Sequence, residues 1–448
     1  MLDIQFIRDN PDLVKQKSKE KSFEVNIDRL LEVDKIRRDL MNRKDEALRK
    51  KNERQSSISH SASVSPSASL SPSASPSPEE IDANFINEGR DNKKVLADIE
   101  AKLKPIEDEY RKLLKAVPNM PTEDTPVGAS EADNKVDLEW GEKPKFKAPK
   151  SHWEIAETKG WIDKERASKV SGSRFAYLKG DFALLSNSLM RYGIDVLTDE
   201  AKLKQIAKKA NLEVSTKPFT FVLPPLMIRE EMFDAMDRLE PREDRYHIEG
   251  TDLWLQGSAE HVLGSMHFDE VLAEADLPIR YVGLATSFRQ EAGTYGKDTE
   301  GIARLHQFEK LEMESLSTPE TSLNEHLFMI AIQEYLMQSI GLPYRKLLKC
   351  TYDIGKPNAR GVDIEVWLPS QEKYLETHTA DYMTDYQSRR LKTRFKSADG
   401  SLQLVHINDA TAFAQRPLIG ILENFQTEDG EVDIPEVLVP YMGGKTQI

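Results

Sequence analysis

Residues 286–313, TSFRQEAGTYGKDTEGIARLHQFEKLEM, hold a dense run of side chains able to do chemistry in this 448-residue chain. IRYVGLATSFRQE (279–291) and RLHQFEKLEM (304–313) read as two strands joined by a loop that carries Gly293, Gly296 and Gly301. Successive side chains of a strand alternate between faces, so Arg289 and Glu291 point together. The return strand can bring Arg304 and Phe308 near them. A guanidinium to clamp a phosphate, a carboxylate beside it and a ring to stack on a base would suit a nucleotide. The same spacing describes a surface hairpin with paired charges, and spacing alone leaves both readings open.

Such groups need a framework. From about residue 151 the texture is of short strands and helices: VDIEVWL (362–368) and LQLVHIN (402–408) are further strand candidates, and PLIGILENFQ (417–426) is an apolar helix. The expected architecture is an α+β domain on an antiparallel sheet over 151–448. Residues 117–150 are rich in proline, acid and lysine without periodicity and are expected to be a linker. Ahead of them, 1–116 is expected to be helical. Val95, Ile99, Leu103, Ile106, Tyr110, Leu113 and Val117 recur every three or four residues and fall on one stripe, with Pro105 inside it as a kink. Ile27, Leu30, Leu31, Ile36, Leu40 and Ala47 form a weaker partner stripe, and together the two predict an antiparallel helical hairpin. Between them, SSISHSASVSPSASLSPSASPSP (56–78) has too little apolar surface to offset the entropy of ordering and reads as a disordered connector at the hairpin tip.

A formal charge of −14 speaks against general nucleic-acid binding. Residues 35–54 run the other way, with nine basic side chains (Lys35, Arg37, Arg38, Arg43, Lys44, Arg49, Lys50, Lys51, Arg54) against four acidic ones. This fits either a solvated helix face or a polyanion-binding arm. The single cysteine, Cys350, excludes an internal disulfide and suits a reducing cytoplasm. No apolar run is long enough to span a membrane, and the opening MLDIQFIRDNPDL lacks a secretory apolar core. His261, His267, His306, His378 and His406 have no zinc-ligand spacing and read as structural.

FRQEAG, the glycine loop and RLHQFEKLE resemble the second signature motif of class II aminoacyl-tRNA synthetases, in the form found in seryl-tRNA synthetases. The resemblance continues along the chain. MLDIQFIRDNPDLVKQ is similar to the family's opening and the hairpin to its tRNA-binding arm. KVSGSRFAYLKGD (169–181) looks like the start of its catalytic domain. VLPPLM (222–227) resembles the first motif, which would put Pro224 at a homodimer interface. RPLIGILENFQTEDGEVDIPEVLVPYMGG (416–444) resembles the third motif.

What the resemblance implies is an α+β class II catalytic domain carrying an N-terminal antiparallel coiled-coil arm, using ATP, Mg²⁺, L-serine and tRNA(Ser), with neither membrane nor DNA as partner. Arg289 would hold the α-phosphate, with Gln290 and Glu291 completing contacts to the nucleotide and tRNA end, and Phe308 would stack on adenine. Arg416 would hold the γ-phosphate. Glu376, with Thr377, His378 and Thr379, would bind ATP, Glu376 and Thr379 also holding the metal. Ser258, Ala259, Glu260 and Arg289 would line the amino-acid site, and Glu312 and Thr411 would contact serine. Elementary chemistry agrees with such roles: attack of a carboxylate on the α-phosphorus needs reactants in line and charge neutralised, not a protein nucleophile.

The chain departs from the family pattern in its amino-acid loop, where Ser258-Ala259-Glu260 replaces threonine-x-glutamate. It departs again in ETHTADYMTDYQSRR (376–390), where a serine- and cysteine-bearing stretch is usual, and in NDATAFAQR (408–416), where an asparagine-glycine-serine-glycine block is usual. Lys297 and Glu300 stand where arginines are common. Two alternatives stay open from the residues: a paralogue activating a small amino acid for another acceptor, and a non-catalytic tRNA-binding regulatory protein.

Overall fold

The computed structural model describes residues 1–61, 78–292 and 301–448, side chains at 54–61 and 78–89 excepted. The Ser/Pro-rich stretch 56–78 therefore lies for the most part outside the described residues, as do Gly293, Gly296, Lys297 and Glu300. Backbone contacts divide the chain into two units: Leu2–Lys19 with Phe23–Val117, and Met1 and Glu20–Ser22 with Pro118–Ile448.

The first unit is helical, with α1 (Ile4–Asp9), α2 (Pro11–Glu20), and the long α3 (Ile27–Ser61) and α4 (Pro78–Ala116). Arg29 Nε meets Glu109 Oε1 at 2.7 Å and Lys44 Nζ meets Glu100 Oε1 at 3.0 Å. Asn92 Nδ2 donates to the Ala47 carbonyl at 3.0 Å. Ascending numbers on α3 thus meet descending ones on α4, as in an antiparallel pair. Ile27, Leu30, Val33, Leu40 and Ala47 are buried, as are Ile99, Leu103, Tyr110, Leu114 and Val117. The stripes differ in detail from the expected ones. Leu114 is buried and Leu113 only partly so, Val33 takes the place of the exposed Ile36, and Val95 is exposed. A helix of 3.6 residues per turn drifts round its axis relative to a fixed repeat, so the buried line slips by one residue over several turns. α4 continues through Pro105.

The second unit is built on an eight-stranded sheet. Its strands are β1 (Lys135–Trp140), β2 (Thr220–Val222), β3 (Ile279–Phe288), β4 (Gln307–Ser317), β5 (Tyr344–Leu348), β6 (Arg360–Leu368), β7 (Lys373–Tyr382) and β8 (His406–Phe413). Their order is β1-β5-β6-β7-β8-β4-β3-β2, antiparallel throughout except for the parallel pair β2–β3. β1 corrects one expectation: part of the stretch read as an unpatterned linker is an edge strand, whose VDLEW alternates apolar and acidic residues over only five positions. One face of the sheet is covered by α5 (Gly180–Leu197), α6 (Ser322–Ser339) and α7 (Arg416–Asn424), with Leu311, Met313, Ala380, Ala410 and Ala412 in the core between. α5 lies so close that a Cβ on Gly193 would come within 2.8 Å of Leu311 and 2.9 Å of Phe413. The opposite face is left for chemistry. Among the described residues no helix is long and apolar enough to cross a membrane.

Candidate active site

A cavity of about 330 Å³ opens on that second face. Its walls include Arg289, Glu291, Arg304, Phe308, Lys310, Glu376, Thr377, Thr379, Asp381, Thr411 and Arg416. Strand parity explains most of these. On β4, Leu311 and Met313 point into the helical core, so Phe308, Lys310, Glu312 and Glu314 share the other face. On β7, pairing with β6 passes from Ile364–His378 to Glu365–Glu376, which leaves Thr377 as an extra residue. That bulge brings Glu376 to the same face as Thr377, Thr379 and Asp381.

The strand β3 ends at Phe288, yet pairing persists one step further, with the Arg289 amide donating to the His306 carbonyl at 3.0 Å. Arg289 Nε donates to the Gly257 carbonyl at 3.0 Å, and its guanidinium lies 5.4 Å from the centre of the Phe308 ring. Glu291 turns into the left-handed region at φ 52° and accepts from Arg304 Nη1 at 3.1 Å. Gly301, at φ +69°, is needed where it stands, because a Cβ there would sit 1.9 Å from His152 Nε2. At the opposite wall Arg416 opens α7 and donates to the Glu376 carbonyl oxygen at 3.0 Å, with its carboxylate at 3.2 Å. Arg289, Glu376 and Arg416, far apart in sequence, thus face one space.

Deeper in, charge is concentrated. Lys310 donates to Ser258 Oγ at 3.1 Å and is ion-paired with Glu312. Arg238 Nε lies 2.6 Å from Glu260 Oε1. Burial works against ionisation of Glu260, but Arg238, Lys310 and the other groups around it together outweigh burial and hold its carboxyl below the usual carboxylate range. Burial pushes Glu312 up to about 7 against the pull of Lys310, with Glu260 adding to the rise. Asp409 is raised well above the ordinary value by burial and by Glu260 and Asp381. Burial lowers His261, which is therefore neutral. For Glu376, whose side chain is half exposed, the positive charge of Arg416, Lys349 and Arg289 overcomes burial and lowers the carboxyl.

Most of the residues named from sequence line this cavity, and several stand elsewhere. His378 is turned away from it: its Nε2 donates to the Ala412 carbonyl at 3.0 Å, its Nδ1 lies 2.8 Å from Thr377 Oγ1, and its ring packs on Phe413. Alternation from Thr379 puts His378 on the other face, and the bulge is what keeps Glu376 from following it. Gln290 is exposed and donates to the Arg245 carbonyl at 2.7 Å. Ala259 is buried against Leu263 and Ala285, and Ser258 and Glu312 lie beneath the walls. Arg238, Asp244, Arg245, Asp381 and Gln415 are wall residues that the sequence reading did not assign to the site, and His261, read there as structural, is another. Lys310 was within reach of period-two counting from Phe308; Arg238, after a short helix, carried no signal.

Two sets of oxygens could meet a cation. Glu376 offers a carboxylate at the wall, and Thr379, hydrogen-bonded to Asp363, lies beside it on the same face. This hard-oxygen set suits a divalent ion such as Mg²⁺. Glu260, Glu312 and Asp409 place carboxylate oxygens within 4.8 Å of one another, but Arg238 and Lys310 already attend them.

Comparison with known proteins agrees with this architecture. Residues 1–121 match the model of the seryl-tRNA synthetase N-terminal domain, and 244–425 that of the class II tRNA synthetase core domain (G, H, P, S and T). A serine–tRNA ligase of Symbiobacterium thermophilum is 36% identical over 444 residues, covering 98% of each chain. One from Nitrosopumilus maritimus is 35% identical over 452 residues, covering 100% of each. Among solved structures, the seryl-tRNA synthetase of Pyrococcus horikoshii complexed with ATP superposes with a TM-score of 0.84 at 34% identity, covering 100% of this chain and 99% of that one.

Proposed function

The chain belongs to the seryl-tRNA synthetase family, and on that premise we propose that it is a serine–tRNA ligase whose cavity binds ATP and L-serine, forms seryl-adenylate and loads it onto the 3′ end of tRNA(Ser). The observation that carries this reading is the meeting of Arg289, Glu376 and Arg416 at one cavity beside a buried acid-lined recess. The serine carboxylate attacks the α-phosphorus and pyrophosphate leaves; a ribose hydroxyl of the tRNA end then attacks the mixed anhydride and AMP leaves. No protein nucleophile is needed. Arg289 meets the charge that develops at the α-phosphate and Arg416 that of the departing pyrophosphate. Phe308 offers its ring to adenine. Glu376 and Thr379 would hold Mg²⁺, which when bound supplies further positive charge to the phosphates.

The α-ammonium of serine is placed over Glu260, and its hydroxyl toward the layer of Thr411 and Glu312, which pair across β4 and β8. An amino acid without the hydroxyl would leave buried polar groups unmatched, a strong basis for rejection. The helical hairpin is assigned to tRNA, with the exposed Lys35, Arg43 and Lys51 of α3 facing the phosphate backbone. A homodimer in the cytoplasm is the expected state; what supports it is a run of uncovered apolar side chains, Phe221, Leu223, Leu226 and Met227, along and beyond the edge strand β2. ATP–pyrophosphate exchange with serine, alanine, threonine and glycine compared tests the reading. Serine should support exchange and the others should not; exchange with no amino acid at all defeats it.

A further inference from the structure

The amino-acid recess contains a cluster that none of the roles above accounts for. β7 and β8 are paired so that Asp381 stands directly opposite Asp409, and β8 and β4 so that Asp409 stands opposite Glu314. Three carboxyl groups therefore lie in a row across three neighbouring strands, all buried. Like charges directly opposite one another on a sheet are destabilising, and burial multiplies the cost. One guanidinium answers them. Arg238 Nη2 is 3.6 Å from Asp381 Oδ2 and 3.6 Å from Asp409 Oδ1, while its Nε holds Glu260 at 2.6 Å. Both Asp409 oxygens, both Glu314 oxygens and one oxygen of Glu312 have no hydrogen-bond partner although fully enclosed. Two of the departures from the usual family pattern, ETHTADYM and NDAT, deliver these aspartates.

We propose that Arg238 is a specificity-determining positioning residue of the amino-acid subsite, bridging the Asp381–Asp409 pair and fixing the Glu260 carboxylate where the α-ammonium of a small amino acid docks. The proposal rests on the reading that the cavity binds an amino acid. Around Arg238 stand three carboxyl groups, Glu260, Asp381 and Asp409. Burial raises Asp381 and Asp409, which leaves Glu260, held ionised beside Arg238, as the carboxylate that an α-ammonium meets. Arg238 does not touch the phosphate-binding arginines' partners, so its loss should weaken amino-acid binding and leave ATP binding alone. Lysine would keep the charge without the fork that reaches two carboxylates and Glu260 together.

Exchange kinetics on the full-length chain test this, with Arg238→Lys, Arg238→Gln, Glu260→Gln and the double variant Arg238→Gln/Glu260→Gln. Serine-dependent exchange by the unaltered enzyme decides the underlying reading on its own, and its absence ends both. Given that exchange, Arg238→Gln should raise the KM for serine about 10- to 100-fold with the KM for ATP within about twofold, and Arg238→Lys should recover part of the loss. The double variant should be no worse than Glu260→Gln alone, because the two residues act as a unit. Serine KM unchanged in Arg238→Gln, equal rises for serine and ATP, or additive losses in the double variant would each overturn the proposal. Should thermal melting show that Arg238→Gln does not fold, Arg238→Lys combined with Glu260→Gln carries the same cycle and the same criteria.

Discussion

Apart from the buried Asp34, which pairs with Arg8 and Arg38, the arm keeps most of its charges on the outside, whereas the catalytic unit gathers them in its interior. On α3, Arg49–Glu53 and Lys50–Glu46 are exposed pairs one turn apart, worth a few tenths of a kcal/mol each, and the helices are joined by an apolar seam. In the catalytic unit Arg238, Lys310, Glu260, Glu312 and Asp409 are enclosed, where an unmatched charge is expensive. The difference separates two kinds of work. A surface that meets a long polyanion needs reach and screening-sensitive charge; a site that must tell one small amino acid from another needs few groups, held tightly, with no water to blur them.

Separating the two units experimentally should give the largest effect. Replacing residues 27–117 by a short linker is expected to lower tRNA charging by about 10³-fold, the scale on which phosphate contacts act, with serine-dependent exchange kept. Normal charging by this form would remove the arm from the account. Next, Arg289→Ala should cut exchange by about 10²- to 10³-fold without changing the affinity for tRNA measured by filter binding.

The interior charges should show in pH dependence. Folding raises Glu312 from its ordinary 4.5 to about 7, and its ionised form accepts a hydrogen bond from the serine hydroxyl. The KM for serine should accordingly rise about tenfold per pH unit below 7 and level off above it, and serine binding near pH 6 should release a proton, read by calorimetry in buffers of different ionisation enthalpy. The sign for stability is the reverse of a salt-bridged acid. A raised carboxyl makes the folded state hold a proton that the unfolded state has lost, so this group's contribution falls as pH climbs from 4.5 to 7. The smallest expected effect on chemistry is that of Ile99→Ala. Ile99 is 3% exposed in the hairpin seam, and its truncation should cost about 2–4 kcal/mol of arm stability with exchange unchanged.

Legibility followed the same division. The hairpin shows in the sequence because its seam repeats locally, and what escaped the pattern is small: Leu114 for Leu113, Val33 for the exposed Ile36, and an exposed Val95. The site was legible where one strand carries it: Arg289 and Glu291, or Phe308 with Lys310 and Glu312, are matters of parity. It was hidden where register decides. Nothing along the chain announces that Asp381 and Asp409 face each other, that a bulge at Thr377 keeps Glu376 on the face opposite His378, or that Arg238 reaches them from a loop. The edge strand β1 was hidden for another reason: it takes its order from pairing with β5, and its own residues are exposed.

A crystal structure of the full chain with a non-hydrolysable seryl-adenylate analogue addresses the central claim most directly. The account predicts adenine on the Phe308 ring, the phosphate-equivalent group on Arg289 and the ammonium over Glu260, with Arg416 and Glu376 flanking the site the pyrophosphate leaves. An analogue seated elsewhere, or Arg289, Glu376 and Arg416 directed away from it, would contradict the account.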